Sequence, residues 1–196
     1  MTPMTPEPCG RRRSGPSSHG PDTAAGVLDA LGVEPGGVFV DLGCGPGEYA
    51  LDMARRTGPR GAVLALDTWG RVLTELRADA TEAGLSALLP LRADITVALP
   101  VATGRADACL LAMVLHMPGR ASQLGLMLDE IRRVLRPGGR LGILEHLGHE
   151  HLPAGHPARH LTPEWLTATA RDHGFDRPEQ TNLGRFFLLV LTATAS

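Results

Sequence analysis

The stretch Val38-Phe39-Val40-Asp41-Leu42-Gly43-Cys44-Gly45-Pro46-Gly47 constrains this chain more than any other. A short apolar run passing straight into alternating glycines has the form of a buried strand that turns sharply into a helix. In an open α/β sheet such a turn lies at the carboxyl end of the strand, where ligands bind near the reversal of strand order. Gly43 and Gly45 permit the turn and leave room for a ligand against the backbone. The frame is not the dinucleotide one. Its third glycine would stand at Glu48, and the glycine comes one place early, at Gly47. No phosphate loop ending in Lys and Ser or Thr is present, so the loop favours a ligand without a pyrophosphate.

An alternation of strands and helices runs outward from this loop. Helices are predicted over Thr23–Leu31, Tyr49–Arg56, Arg71–Ala83, Ala121–Leu135 and Pro163 to about His173, the last capped by Thr162. Strands are predicted over Val38–Leu42, Ala62–Leu66, Leu88–Leu91, Ala108–Met113 and Arg140–Glu145. Strands alternating with helices through five units give a doubly wound α/β fold with a mostly parallel sheet. After Gly174 too few residues remain for another crossover helix. Phe175–Leu191 therefore reads as two strands joined near Asn182–Gly184, with one antiparallel member. Residues 1–22, rich in Pro, Gly, Ser and Arg, are expected to form a flexible arm, and 23–196 one domain.

Composition removes several kinds of chemistry. All 19 basic residues are arginine, which excludes a lysine Schiff base or lysine nucleophile. The formal net charge of −2 argues against a nucleic-acid partner. Cys9, Cys44 and Cys109 are too few and too scattered for a disulfide framework, so a cytoplasmic location is expected. No stretch has the length of a membrane span. Oligomeric state is left open, a homodimer being one option.

Two strand-end acids strengthen the ligand reading. Asp67 closes the second strand, where a carboxylate can accept both hydrogen bonds of a ribose diol. Asp94 follows the third strand, where it and the amide of Ile95 can address an adenine edge.

Taken in this order, these motifs resemble the class I S-adenosylmethionine-dependent methyltransferases. The further elements are Asp107 through His116, Val134-Leu135-Arg136-Pro137-Gly138-Gly139, His160-Leu161-Thr162-Pro163-Glu164 and His173-Gly174-Phe175. Within that class the chain is similar to the small ubiquinone/menaquinone-biosynthesis and arsenite methyltransferase branch, over about residues 25–191. The resemblance implies a seven-stranded sheet of order 3-2-1-4-5-7-6 with strand 7 antiparallel, and S-adenosyl-L-methionine as cofactor. It places the methionine part over Gly43, Cys44 and Gly45 with Asp41 at its amino end. Asp67 and Thr68 border the ribose, Asp94 and Ile95 the adenine, and Ala112 the floor. Arsenical methylators depend on several spaced cysteines, which this chain lacks.

Methyl transfer from a sulfonium is an in-line displacement with a neutral leaving group, so the protein mainly aligns donor and acceptor. A base is needed only where the acceptor sheds a proton. His116 follows the fourth strand and is the candidate for that role. Met113, His116, Glu145, His146 and His160 are the expected contacts of a small-molecule acceptor. His146, His149, His151, His156 and His160 crowd one loop, but their spacing fits no structural zinc frame, and no metal is expected. The rival readings are a non-catalytic S-adenosylmethionine-binding scaffold and an RNA methyltransferase.

Overall fold

The computed structural model describes residues 18–148 and 159–195. Its elements run α1 (Pro21–Leu31), β1 (Val38–Leu42), α2 (Glu48–Thr57), β2 (Ala62–Asp67), α3 (Gly70–Glu82) and β3 (Leu88–Arg92). There follow β4 (Ala106–Ala112), α4 (Leu124–Val134), β5 (Leu135–His146), α5 (Pro163–Arg171), β6 (Phe175–Leu183) and β7 (Phe186–Ala193). The strands form one sheet of order β3-β2-β1-β4-β5-β7-β6. Strands β1 to β5 are mutually parallel. Strand β7 runs antiparallel to both β5 and β6. This is the order the resemblance implied, and the chain reverses its direction of growth between β1 and β4.

Two layers of helix bury the two faces. Val27, Leu31, Met53 and Leu76 of α1–α3 pack with Phe39, Val63, Leu110 and Leu188 on one side. Leu128, Ile131 and Leu166 of α4 and α5 pack with Val40, Leu111, Ile143 and Leu189 on the other. Coverage on both faces is why β4 reads as a continuous apolar run. The spacing of Leu124, Met127, Leu128 and Ile131 puts one buried stripe along α4. Each such leucine contributes about 1.5–3 kcal/mol of burial. Thr162 caps α5 as expected, its hydroxyl accepting from the Trp165 amide at 3.2 Å.

The elements depart from the sequence reading in three places. First, α4 ends at Val134, and Leu135 is already extended and paired with Ala106 in the sheet. Arg136 precedes Pro137, which disfavours helix there, so the turn forms inside β5 rather than after a longer α4. Second, no helix lies between β3 and β4, so the alternation is incomplete. Side chains of α4 serve the polar groups of that crossover instead. Glu130 Oε2 accepts the Leu99 amide at 2.8 Å. Arg133 donates to the carbonyls of Val101 at 2.9 Å and Leu99 at 3.1 Å, and pairs with Glu130 at 2.7 Å. Third, α1 begins at Pro21, inside the stretch expected to be an arm. Ser18 and His19 rest on α2. The Tyr49 hydroxyl donates to the Ser18 carbonyl at 3.2 Å, and His19 Nε2 lies 2.8 Å from Asp52.

Candidate functional site

Because β1 to β5 are parallel and in register, their carboxyl ends share one edge of the sheet. Leu42 pairs with Leu66, Asp67 with Arg92, Asp41 with Leu110, and Ala112 with Leu144. Residues 41–45, 67–68, 94–95, 112–116 and 145–146 are thereby brought to one edge from five separate positions in the chain.

The glycine loop is pinned by the amides of Gly43 and Cys44, which donate to the Leu66 carbonyl at 2.8 and 2.9 Å. Gly43, Gly45 and Gly47 all adopt left-handed backbone, with φ of 74°, 51° and 77°. They differ in what a side chain would meet. At Gly43 a Cβ would lie 2.9 Å from Val114, with Ile95 also near. At Gly47 it would lie 2.4 Å from Leu76. At Gly45 it would meet nothing within 4 Å. Gly43 and Gly47 thus let protein pack against protein, whereas Gly45 borders open space. Burial pushes the Cys44 thiol up, so it stays protonated and is no nucleophile.

Asp41 ends inside β1 with 2% of its surface exposed. Its Oδ2 has no hydrogen-bond partner. Burial, together with the nearby charge of Asp67, pushes its pKa up to about 7. A buried carboxylate oxygen without a donor is costly unless a ligand donor satisfies it. Asp67 bridges the loop and the start of α3. Its Oδ2 accepts from Gly45 N and its Oδ1 from Trp69 N, both at 2.9 Å. Each of these oxygens keeps a second lone pair for a diol. Thr68 and Trp69 are exposed beside it, Trp69 by 65%.

Asp94 Oδ1 accepts from the Thr96 amide at 3.0 Å and the Thr96 hydroxyl at 2.8 Å, with Arg120 3.5 Å away. These contacts, the Thr96 amide foremost, hold its carboxyl below the usual range. Ile95 is buried against the glycine loop. Ala112 is half-buried at the end of β4. Met113 follows it with a φ of 58°, unusual for a side chain of this size, and donates its amide to Leu144 at 2.8 Å. Backbone strain at a strand end of this kind accompanies functional sites.

Glu145, expected among the acceptor contacts, is fully buried beneath the loop that follows β4. Its Oε1 accepts the Leu115 amide at 2.7 Å, and its Oε2 lies 3.1 Å from His116 Nδ1. That hydrogen bond holds the pKa of His116 above the ordinary imidazole value, although burial opposes it. The His116 side chain is 36% exposed at the sheet edge.

His146 stacks on Phe186 with ring centroids 4.7 Å apart. Burial first, then the charge of Arg185, keeps its pKa below the ordinary value. It borders a cavity of about 270 Å³ together with Leu147, Leu161, Pro163, Glu164 and Phe187. His160 packs edge-on against Trp165, while its neighbours Leu161 and Thr162 line the cavity. His149, His151 and His156 lie outside the described residues. Among the described residues no group of three metal-ligating side chains converges, and no helix is long and apolar enough to cross a membrane.

Sequence reasoning missed Asp107 as a tie. Its Oδ2 accepts the Val38 amide at 2.7 Å and its Oδ1 takes Arg136 Nε at 2.6 Å, which locks the starts of β1, β4 and β5 together. A charged residue at the head of an apolar strand was the available signal.

Comparison with known proteins agrees with this geometry. A family model described as a methyltransferase domain matches residues 39–139. An uncharacterized 37.1 kDa protein in a transposon of Streptomyces fradiae is 38% identical over 59% of this chain and 32% of its own length. A ubiquinone/menaquinone biosynthesis C-methyltransferase of Bordetella avium is 34% identical over 61% of this chain and 44% of its own. The chain thus spans less than half the length of these two relatives. In fold it is similar to a SAM-dependent methyltransferase from Aquifex aeolicus, with a TM-score of 0.74, 20% identity and coverage of 87% and 89% of the two chains.

Proposed function

The chain belongs to the methyltransferase-domain family, and from that premise we propose that it binds S-adenosyl-L-methionine at the carboxyl edge of the sheet and transfers the methyl group to a small-molecule acceptor. The observations that carry this reading are the unpartnered buried Oδ2 of Asp41, on the strand that leads into the glycine loop, and the open space at Gly45 within that loop. An amino group of a ligand supplies the missing donor, and the glycine leaves the room it needs. Asp67 is placed to hold ribose hydroxyls, with Thr68 beside it, and Asp94 and Ile95 to border the base. Ala112 and Met113 form the floor between this cradle and His116.

When bound, the sulfonium supplies an electrophilic methyl carbon whose leaving group departs neutral. The chain's residues therefore need only position, desolvate and, for a protic acceptor, remove a proton. His116, partly exposed after β4, is the residue we assign to that proton, and the cavity beside His146 is the candidate place for the acceptor. Within the family we place the chain nearest the quinone-biosynthesis branch, on the support of its curated relatives. A metalloid acceptor finds no support among the described residues, where Cys44 and Cys109 are both buried with their thiols pushed up; Cys9 lies outside them.

Isothermal titration tests the cofactor reading. S-Adenosylmethionine and S-adenosylhomocysteine are expected to bind with a Kd of order micromolar, about −8 kcal/mol. Asp67→Ala is expected to weaken both by at least about tenfold, because charged acceptors of ligand hydrogen bonds contribute about 1.5–3 kcal/mol. No binding of either ligand to the wild-type chain would remove the reading.

A further inference from the structure

Glu145 lies 29 residues beyond His116 in sequence, yet it governs that residue's chemistry. Its Oε1 fixes the loop through the Leu115 amide at 2.7 Å and, more weakly, the His116 amide at 3.4 Å. Its Oε2 lies 3.1 Å from the ring at Nδ1. An ionised carboxylate only accepts hydrogen bonds, so Nδ1 is the ring nitrogen that bears the proton. In the neutral imidazole the other nitrogen, Nε2, then carries a free lone pair. One buried carboxylate thus sets both the position of the ring and its tautomer. Among the described residues, Glu145 and His146 from β5 act electrostatically with it, and Arg185 acts on His146 from the β6–β7 turn.

Resting on the methyl-transfer reading above, we propose that Glu145 is a positioning residue that holds His116 as a proton acceptor at Nε2 for an acceptor that must shed a proton during transfer. The acceptor's bond to that hydrogen breaks and the proton passes to Nε2. The released electron pair forms the bond to the methyl carbon. The sulfur–methyl bond breaks and its pair stays on sulfur. The imidazolium returns its proton to water.

Long-range proton–nitrogen NMR on the full chain saturated with S-adenosylhomocysteine tests the dyad without turnover. The expected result is a His116 proton on Nδ1 at high pH and a pKa above the model value near 6.5. Glu145→Gln is expected to invert the tautomer and lower the pKa, with S-adenosylhomocysteine affinity within about twofold of wild type. Glu145→Asp is expected to restore the tautomer in part. A wild-type proton on Nε2, or an unchanged tautomer in Glu145→Gln, overturns the proposal. If that variant does not fold, the wild-type tautomer decides alone. Loss of S-adenosylhomocysteine binding in the wild type would instead sink the cofactor reading.

Discussion

A methyl group added at Gly45 would touch no protein atom within 4 Å, whereas one at Gly47 would overlap Leu76. The two glycines therefore predict different failures. Gly45→Ala is expected to cost only the strain of a left-handed side chain, about 1–2 kcal/mol, while weakening S-adenosylhomocysteine binding by at least about tenfold. Gly47→Ala adds overlap between α2 and α3 to the same strain. It is expected to lower stability further, by about 1–3 kcal/mol of overpacking, and so to lower Tm more. Thermal melts and titrations on both variants check this, and equal loss of binding in the two would contradict it. Asp41 makes a second residue-scale prediction. Its folded pKa of about 7 exceeds its unfolded value. The folded state therefore binds more protons between roughly pH 4 and pH 7, and the unliganded protein loses stability as pH rises through that window. Asp41→Asn is expected to raise Tm at pH 8 by several degrees, flatten this pH dependence and abolish cofactor binding. A lower Tm at pH 8 would show that the carboxylate is not a buried liability.

At the scale of elements, the strands and their turn chemistry were the legible part. The run Val38–Leu42 into the glycines reads as a buried strand, and it is one. Phe175–Leu191 reads as two strands, and Phe186–Ala193 lies inside the sheet as its apolarity required. What could not be read were ties between distant residues. Nothing in the spacing near Glu145 reveals a carboxylate that reaches back across β4 to His116. Nor does residue order reveal that Glu130 and Arg133 of α4 stand in for a helix between β3 and β4. That substitution is testable. Arg133→Ala is expected to cost about 1–2 kcal/mol through its two carbonyl partners. Hydrogen exchange should quicken most at the Leu99 amide and its neighbours. Uniform exchange across the sheet instead would mean that the crossover is held by other contacts.

For the molecule as a whole, doubly wound topology explains why chemistry gathers at one edge. Five parallel strands deliver their carboxyl ends to the same side, so residues far apart in sequence meet there without any long-range motif. The other edge is arranged against association. Strand β6 is exposed along most of its length and carries a register shift at Asp176/Glu179, with Pro178 inside the shift. The fold alone does not dictate methyl transfer, since one scaffold hosts many functions. That assignment rests on the proposal that Asp41, Gly45 and Asp67 form the cofactor's cradle. A crystal structure of the complex with S-adenosylhomocysteine tests it most directly. The ribose hydroxyls should lie within hydrogen-bond distance of Asp67 and the amino group near Asp41 Oδ2, with the sulfur turned toward His116. Adenosine density on another face of the sheet, or an amino group remote from Asp41, would contradict the account.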